Sequence, residues 1–172
     1  LRYDEIPAQW YNILPDLPEP LPAPMEPPKG RSRMEFLQHV LVSDCLAQEF
    51  STENWIDIPG GIMDLYAKAS RPRPLFRATN LEKRLNTPAR LYYKSEFFSP
   101  TGSHKVNTAL AQCWYAKRQG FEKVTTETGA GQWGTALAYA SALNGLKCVV
   151  FWVRDVYRWK KDRLRFMKLL GA

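Results

Sequence analysis

Two short stretches of this sequence carry the residues that could do chemistry. The first is Ser99-Pro-Thr-Gly-Ser-His104-Lys105, a loop that runs into a predicted helix. Thr101 or Ser103 can cap such a helix start. Lysine normally belongs at the other end of a helix, because the N-terminal end is partially positive. Lys105 sits in the first turn instead, and a positive surrounding favours the neutral, nucleophilic amine that Schiff-base chemistry uses. The same exposed N–H groups suit an anionic cofactor. The plain alternative is a surface lysine with its charge in water.

The second stretch is Val124-Thr-Thr-Glu127-Thr128-Gly129-Ala130-Gly131-Gln132-Trp133-Gly134. It places the Glu127 carboxylate at the end of a predicted strand, on the carboxyl edge where open α/β sheets bind ligands. The glycines permit tight turns and close approach of a ligand. A helix predicted from Thr135 offers N–H groups to a phosphate or a carboxylate. Gly129-x-Gly131-x-x-Gly134 also spells the dinucleotide fingerprint, with Asp155 past the next strand as a candidate ribose ligand. That motif alone is weak, and an oxidoreductase domain stands as the rival reading. His39 and His104 are the only histidines, with no acid or cysteine spacing for zinc, so no metal site is expected.

The elements that must position these stretches follow from periodicity. Residues 90–96 read as a strand, residues 104–120 as a helix with Val106, Ala109, Leu110, Cys113 and Ala116 on one face. Residues 123–127 form a second strand. The helix from Thr135 stops at Asn144-Gly145. Residues 147–153 are a continuous apolar strand of the kind buried in parallel sheets. A basic helix with Val156, Leu164, Met167 and Leu170 at helical spacing closes the pattern. Alternating strands and helices predict an α/β fold, an open parallel sheet with right-handed crossovers and helices on both faces.

Before this βαβαβα unit of residues 90–172 lies a lead-in, residues 31–89, that is helical and irregular. Its predicted helices span residues 34–50, with Phe36, Val40, Leu41 and Leu46 as the apolar face, then 62–69 and 78–85. Residues 1–30 contain Pro15, Pro18, Pro20, Pro22, Pro24, Pro27 and Pro28 and predict an extended arm lying along its own domain or a neighbouring subunit. The sequence stops after a helix and Gly171, where a further strand would cover a sheet edge, so a longer protein is expected.

Composition narrows the class. The 172 residues, 45% hydrophobic and 24% charged, suit a globular domain. No apolar run is long enough to span a membrane. The net charge of +7 gathers at residues 158–168, and a helix with one solvated face accounts for it without nucleic acid. Cys45, Cys113 and Cys148 lack metal spacing and suggest a reducing, cytoplasmic setting.

Ser99 to Asn107 and Glu127 to Gln132 resemble the two signature segments of tryptophan synthase beta chains. Arg71-Pro-Arg73-Pro-Leu75 before them, Cys148-Val-Val-Phe after them, and the Trp10-Tyr-Asn-Ile-Leu-Pro-Asp-Leu-Pro arm agree, the arm with the longer second class. The resemblance implies a fold type II pyridoxal-phosphate enzyme. It implies that Lys105 holds the cofactor as an internal aldimine with His104 against it, and that Glu127 is the acid–base carboxylate. Residues Thr128, Gly129, Ala130, Gly131, Gln132 and Trp133 would hold the substrate carboxylate. The implied reaction is β-replacement of L-serine, or an activated serine such as phosphoserine, by indole to give L-tryptophan. A homodimer is implied, and an alpha subunit is a candidate partner.

Three departures stand out. Trp133 replaces the histidine of the commoner class. Arg73 replaces a threonine, and as a loop residue it reads as a surface change. The family's phosphate-binding loop and the residue at the pyridine nitrogen fall beyond Ala172, so this stretch alone is expected to bind cofactor poorly.

Overall fold

The computed structural model describes residues 6–22, 25–26, 30 and 32–172. Pro24, Pro27 and Pro28 of the arm lie outside them. The centre of the molecule is one βαβ unit with a further helix beside it. β5 (Lys123–Thr128) and β6 (Lys147–Trp152) pair in parallel, Lys123 opposite Lys147 and Thr128 opposite Trp152. α6 (Gln132–Asn144) makes the crossover, and α5 (Lys105–Arg118) packs along α6. The apolar stripe expected on α5 is the one buried: Val106, Ala109, Leu110 and Cys113 are inaccessible to solvent. Small residues on α6, including Ala136, Ala140 and Ser141, let the two helices approach closely.

Strand alternation decides which side chains reach that core. Val124, Thr126 and Thr128 with Cys148, Val150 and Trp152 form the more enclosed face, and Cys148, Val150 and Trp152 belong to or pack on the core. The reverse face carries Thr125, Glu127, Val149 and Phe151, all exposed among the described residues. The parallel part of the α/β fold is therefore one strand pair with its packed helices on one face.

The other strands form antiparallel ribbons. The residues expected as the first parallel strand contribute β4 (Tyr92–Lys94), which pairs instead with β3 (Leu75–Arg77). Both strands have all three residues exposed, and Phe76 stacks on Tyr93 within the ribbon rather than on the central sheet. Part of the arm is strand too: β1 (Gln9–Tyr11) pairs with β2 (Trp55–Asp57), and Trp10 packs on the core.

Two helices expected as continuous are broken. Residues 34–50 give α1 (Arg33–Val40) and α2 (Ser43–Glu49), with Leu41 and Val42 extended between them. The expected stripe is not the buried one: Phe36 and Val40 remain exposed, and the break instead brings Val42 and Cys45 against the core. The basic helix is α7 (Arg154–Trp159) followed by α8 (Lys161–Leu169), which buries only Met167 fully. α3 (Gly60–Lys68) contributes Ile62, Leu65, Tyr66 and Ala67 to the core, and α4 (Thr79–Leu85) ends at Asn86 in the left-handed conformation. No helix of the described residues is long and apolar enough to cross a membrane.

Candidate active site

Lys105 is the first residue of α5 and is half-buried, while His104 before it is exposed. The loop feeding this start is tied by its own hydroxyls. Ser99 Oγ accepts from the Ser103 N–H at 2.8 Å and donates to the Ser103 carbonyl at 2.9 Å, with both residues buried. Ser103 Oγ in turn accepts from the Lys105 N–H at 3.3 Å. Neither expected group is the N-cap, which is His104 without a side-chain cap bond; Thr101 Oγ1 is buried without a hydrogen-bond partner, as is Asn107 Oδ1.

The second loop leaves β5 at Thr128 and enters α6 at Gln132, three residues earlier than periodicity suggests. Gln132, Trp133 and Gly134 thus belong to the first helical turn. Trp133 Nε1 donates to Thr126 Oγ1 at 2.8 Å, which fixes the ring beside β5. Gly134 packs so closely that an added Cβ would lie 2.7 Å from Val150 Cγ1. Gly131 has φ +89° and a Cβ there would lie 2.4 Å from Trp152 Cζ2, so only glycine fits without displacement. Glu127 lies on the reverse, exposed face of β5, opposite Phe151.

Two contacts fix how these loops relate. Cys113 Sγ lies 3.6 Å from Ser141 Oγ, and Lys117 Nζ donates to the Gly145 carbonyl at 3.4 Å. Both pairs are 28 residues apart, so α5 and α6 run parallel in constant register. Carried back along both helices, that offset sets Lys105 level with Trp133. The two helix N-termini therefore share one end of the unit, the carboxyl end of β5, where N–H groups and helix dipoles favour an anion. Lys105 and the residue 128–133 segment are brought together at this end, and Glu127 borders it from the other face of the strand.

Arg73, read from the sequence as a surface change, is a correction: it is only 3% exposed. Its Nε lies 3.6 Å from Glu96 Oε2, too long for a hydrogen bond, and all three guanidinium nitrogens lack hydrogen-bond partners. Burial lowers its pKa below the usual arginine value, opposed by the Glu96 charge. Nothing in loop composition signals such burial, because it depends on the packing of residues 71–74 against the segment that feeds Lys105. Glu96 and Asn107 are likewise site-adjacent polar residues that the sequence did not single out. Burial pushes the Cys113 thiol up to about 12 and Cys45 up to about 11. Such thiols are inert at neutral pH. The three cysteines are free, and among the described residues no group of three or more metal-ligating side chains occurs.

The residues present fit a phosphorylated, polar aldehyde cofactor. A half-buried amine stands at a helix start, flanked in sequence by the unpartnered buried oxygens of Thr101 and Asn107. A polar ring beside Lys105 would supply partners for groups that are costly to leave unmet.

Comparison with known proteins agrees. Residues 66–172 match the family described as pyridoxal-phosphate dependent enzyme. The tryptophan synthase beta chain of Thermococcus gammatolerans is 56% identical over 169 residues, covering 98% of this chain and 38% of that one. The tryptophan synthase beta chain 2 of Methanothermobacter thermautotrophicus is 54% identical over 172 residues, covering 100% and 40%. The chain thus spans about two fifths of the length of these curated relatives. Among solved structures, a pyridoxal 5'-phosphate-dependent aspartate racemase superposes with a TM-score of 0.54 at 26% identity, covering 67% of this chain and 38% of that chain.

Proposed function

We propose, for a chain that belongs to the pyridoxal-phosphate-dependent enzyme family, that it forms the lysine-bearing part of an enzyme making L-tryptophan from L-serine, or an activated serine, and indole. The observation that carries this reading is the shared end of α5 and α6. It presents an amine, at Lys105, level with the glycine loop that opens α6, where exposed N–H groups suit a carboxylate.

Lys105 would hold the cofactor covalently through Nζ, with His104 beside it and the α5 N-terminus favouring its negative charge. When bound, pyridoxal phosphate supplies the electron sink for bonds broken at the substrate's α- and β-carbons. Gly129, Ala130, Gly131 and Gln132 orient the amino acid by receiving its carboxylate on backbone N–H groups, and Thr128 and Trp133 frame that loop. Lys105 Nζ would also serve as the base for the α-proton. Glu127, exposed at the strand end, carries the proton for the departing β-substituent and for the indole carbon that replaces it. Whole-protein features, a homodimer and a possible alpha-subunit partner, accompany the reading as parts of the proposal.

The test is the visible absorption spectrum of the longest natural form of this chain with pyridoxal phosphate, beside Lys105→Ala. A band that shifts with L-serine, responds to indole and is absent in the variant supports the reading. A band that persists unchanged in the variant overturns it. Nicotinamide binding independent of Lys105 would instead mark the glycine loop as a dinucleotide site.

A further inference from the structure

The glycine loop is held by partners that lie outside it, and the order of its peptide groups shows to what effect. A peptide unit is planar and trans, so its C=O and the N–H of the next residue point in opposite directions. The Thr128 carbonyl accepts from the Val153 N–H at 3.4 Å. The Gly129 carbonyl accepts from Trp152 Nε1 at 2.8 Å. The Ala130 carbonyl accepts from the Arg163 guanidinium. The Gly131 carbonyl accepts from the Thr135 hydroxyl at 2.7 Å and the Thr135 N–H at 3.0 Å. Four successive carbonyls are thereby drawn toward β6, α8 and the body of α6. The N–H groups of Gly129, Ala130, Gly131 and Gln132 are turned the other way, and they have no acceptor among the described residues.

Arg163 is the distinctive member of this set. It reaches the loop from α8, 33 residues along the chain, and its charge strengthens the bond it gives. Trp152 adds a second hold by packing its ring against Gly131, where no Cβ fits. Without the arginine, the 130–131 peptide could rotate and bring a carbonyl oxygen toward a substrate carboxylate, exchanging attraction for repulsion.

We infer that Arg163 and Trp152 are positioning residues that hold the loop carbonyls back and so make this site selective for amino acids bearing a free carboxylate. The inference rests on the reading under Proposed function and deepens it, since both residues act through the backbone and neither touches the reacting atoms.

The experiment uses the cofactor-loaded longest natural form of the chain, with Arg163→Met and Arg163→Lys, titrated with L-serine and with serinol, which lacks the carboxylate. In Arg163→Met the L-serine concentration for half of the spectral shift rises about tenfold or more, while the band before addition and the serinol response stay as in the parent. Arg163→Lys, which keeps a charged donor, recovers part of the loss. Hydrogen exchange gives a second readout: L-serine slows exchange at Ala130 and Gly131 in the parent and not in Arg163→Met. Trp152→Phe keeps an aromatic side chain but removes the donor and the part of the indole packed on Gly131, and it gives a rise of the same kind even if Arg163→Met folds poorly. An unchanged L-serine half-saturation in both Arg163→Met and Trp152→Phe overturns the inference. So does an equal weakening toward serinol. Failure of the underlying reading shows separately, as a cofactor band that survives in Lys105→Ala.

Discussion

The loops that feed α5 and α6 open two helices of nearly equal length at the same end of the molecule, yet they are secured in different ways. The Ser99–His104 loop is local: its ties join residues two to four positions apart, and two buried oxygens beside it remain unpartnered. The Gly129–Gly131 loop is tied by residues 23 and 33 positions away, and its carbonyls are all engaged. The first has polar atoms to spare for a ligand on its side chains. The second offers only its backbone, oriented from a distance. A polar ring suits the one and a small anion suits the other.

The contrast can be broken at its extremes. Lys105→Ala has the largest expected effect, complete loss of the cofactor's visible band. Its melting temperature should stay near the parent's, because among the described residues the lysine side chain makes no hydrogen bond or ion pair. Gly131→Ala comes next, forcing a Cβ to within 2.4 Å of the Trp152 ring at a positive φ. It should cost about 2–4 kcal/mol in chemical denaturation and weaken L-serine binding, while the band of Lys105 survives. Ser99→Ala attacks the local loop. The buried Ser103 N–H loses its acceptor, which should cost about 1–3 kcal/mol and reduce the cofactor band without altering the preference for a carboxylate. Should Ser99→Ala change the serine response and leave the band intact, the two loops would not be the separate devices described.

The smallest effect concerns the layer beneath both loops. Burial holds Cys113 near 12 and Cys45 near 11, so at pH 8 each thiol is protonated and unreactive in the folded chain. Raising the pH exposes thiolate only as it nears those values. Iodoacetamide at pH 8 should therefore label these cysteines at a rate that follows unfolding, which a denaturant series with mass spectrometry reads directly.

Much of this was legible in the residues. The i, i+3, i+4 stripe of α5 is the stripe that is buried, and Asn144-Gly145 does end α6. Those features depend on neighbours one turn away. The missed ones depend on distant packing. Nothing near Arg73 signals that a charged loop residue is enclosed beside Glu96. The break at Leu41-Val42 has no proline or glycine to mark it, and it is set by which apolar residues reach the core. Residues 90–96 read as a strand of the parallel sheet, yet β4 within them pairs antiparallel with β3, which the sequence reading does not name as a strand. Likewise, Gly131 is visible as a glycine, while the tryptophan and arginine that give it purpose lie on other elements.

The parallel run of α5 beside α6 has an electrostatic consequence. Two aligned helix dipoles side by side repel, and their positive ends lie together where neither can neutralise the other. An anion arriving at that end relieves a cost the folded chain already bears. By mass action it adds to stability as its concentration passes its dissociation constant, by about 2.7 kcal/mol at a hundredfold excess. The fold thus carries a built-in tension that its ligand discharges, and occupancy of the site and firmness of the scaffold become one thermodynamic quantity.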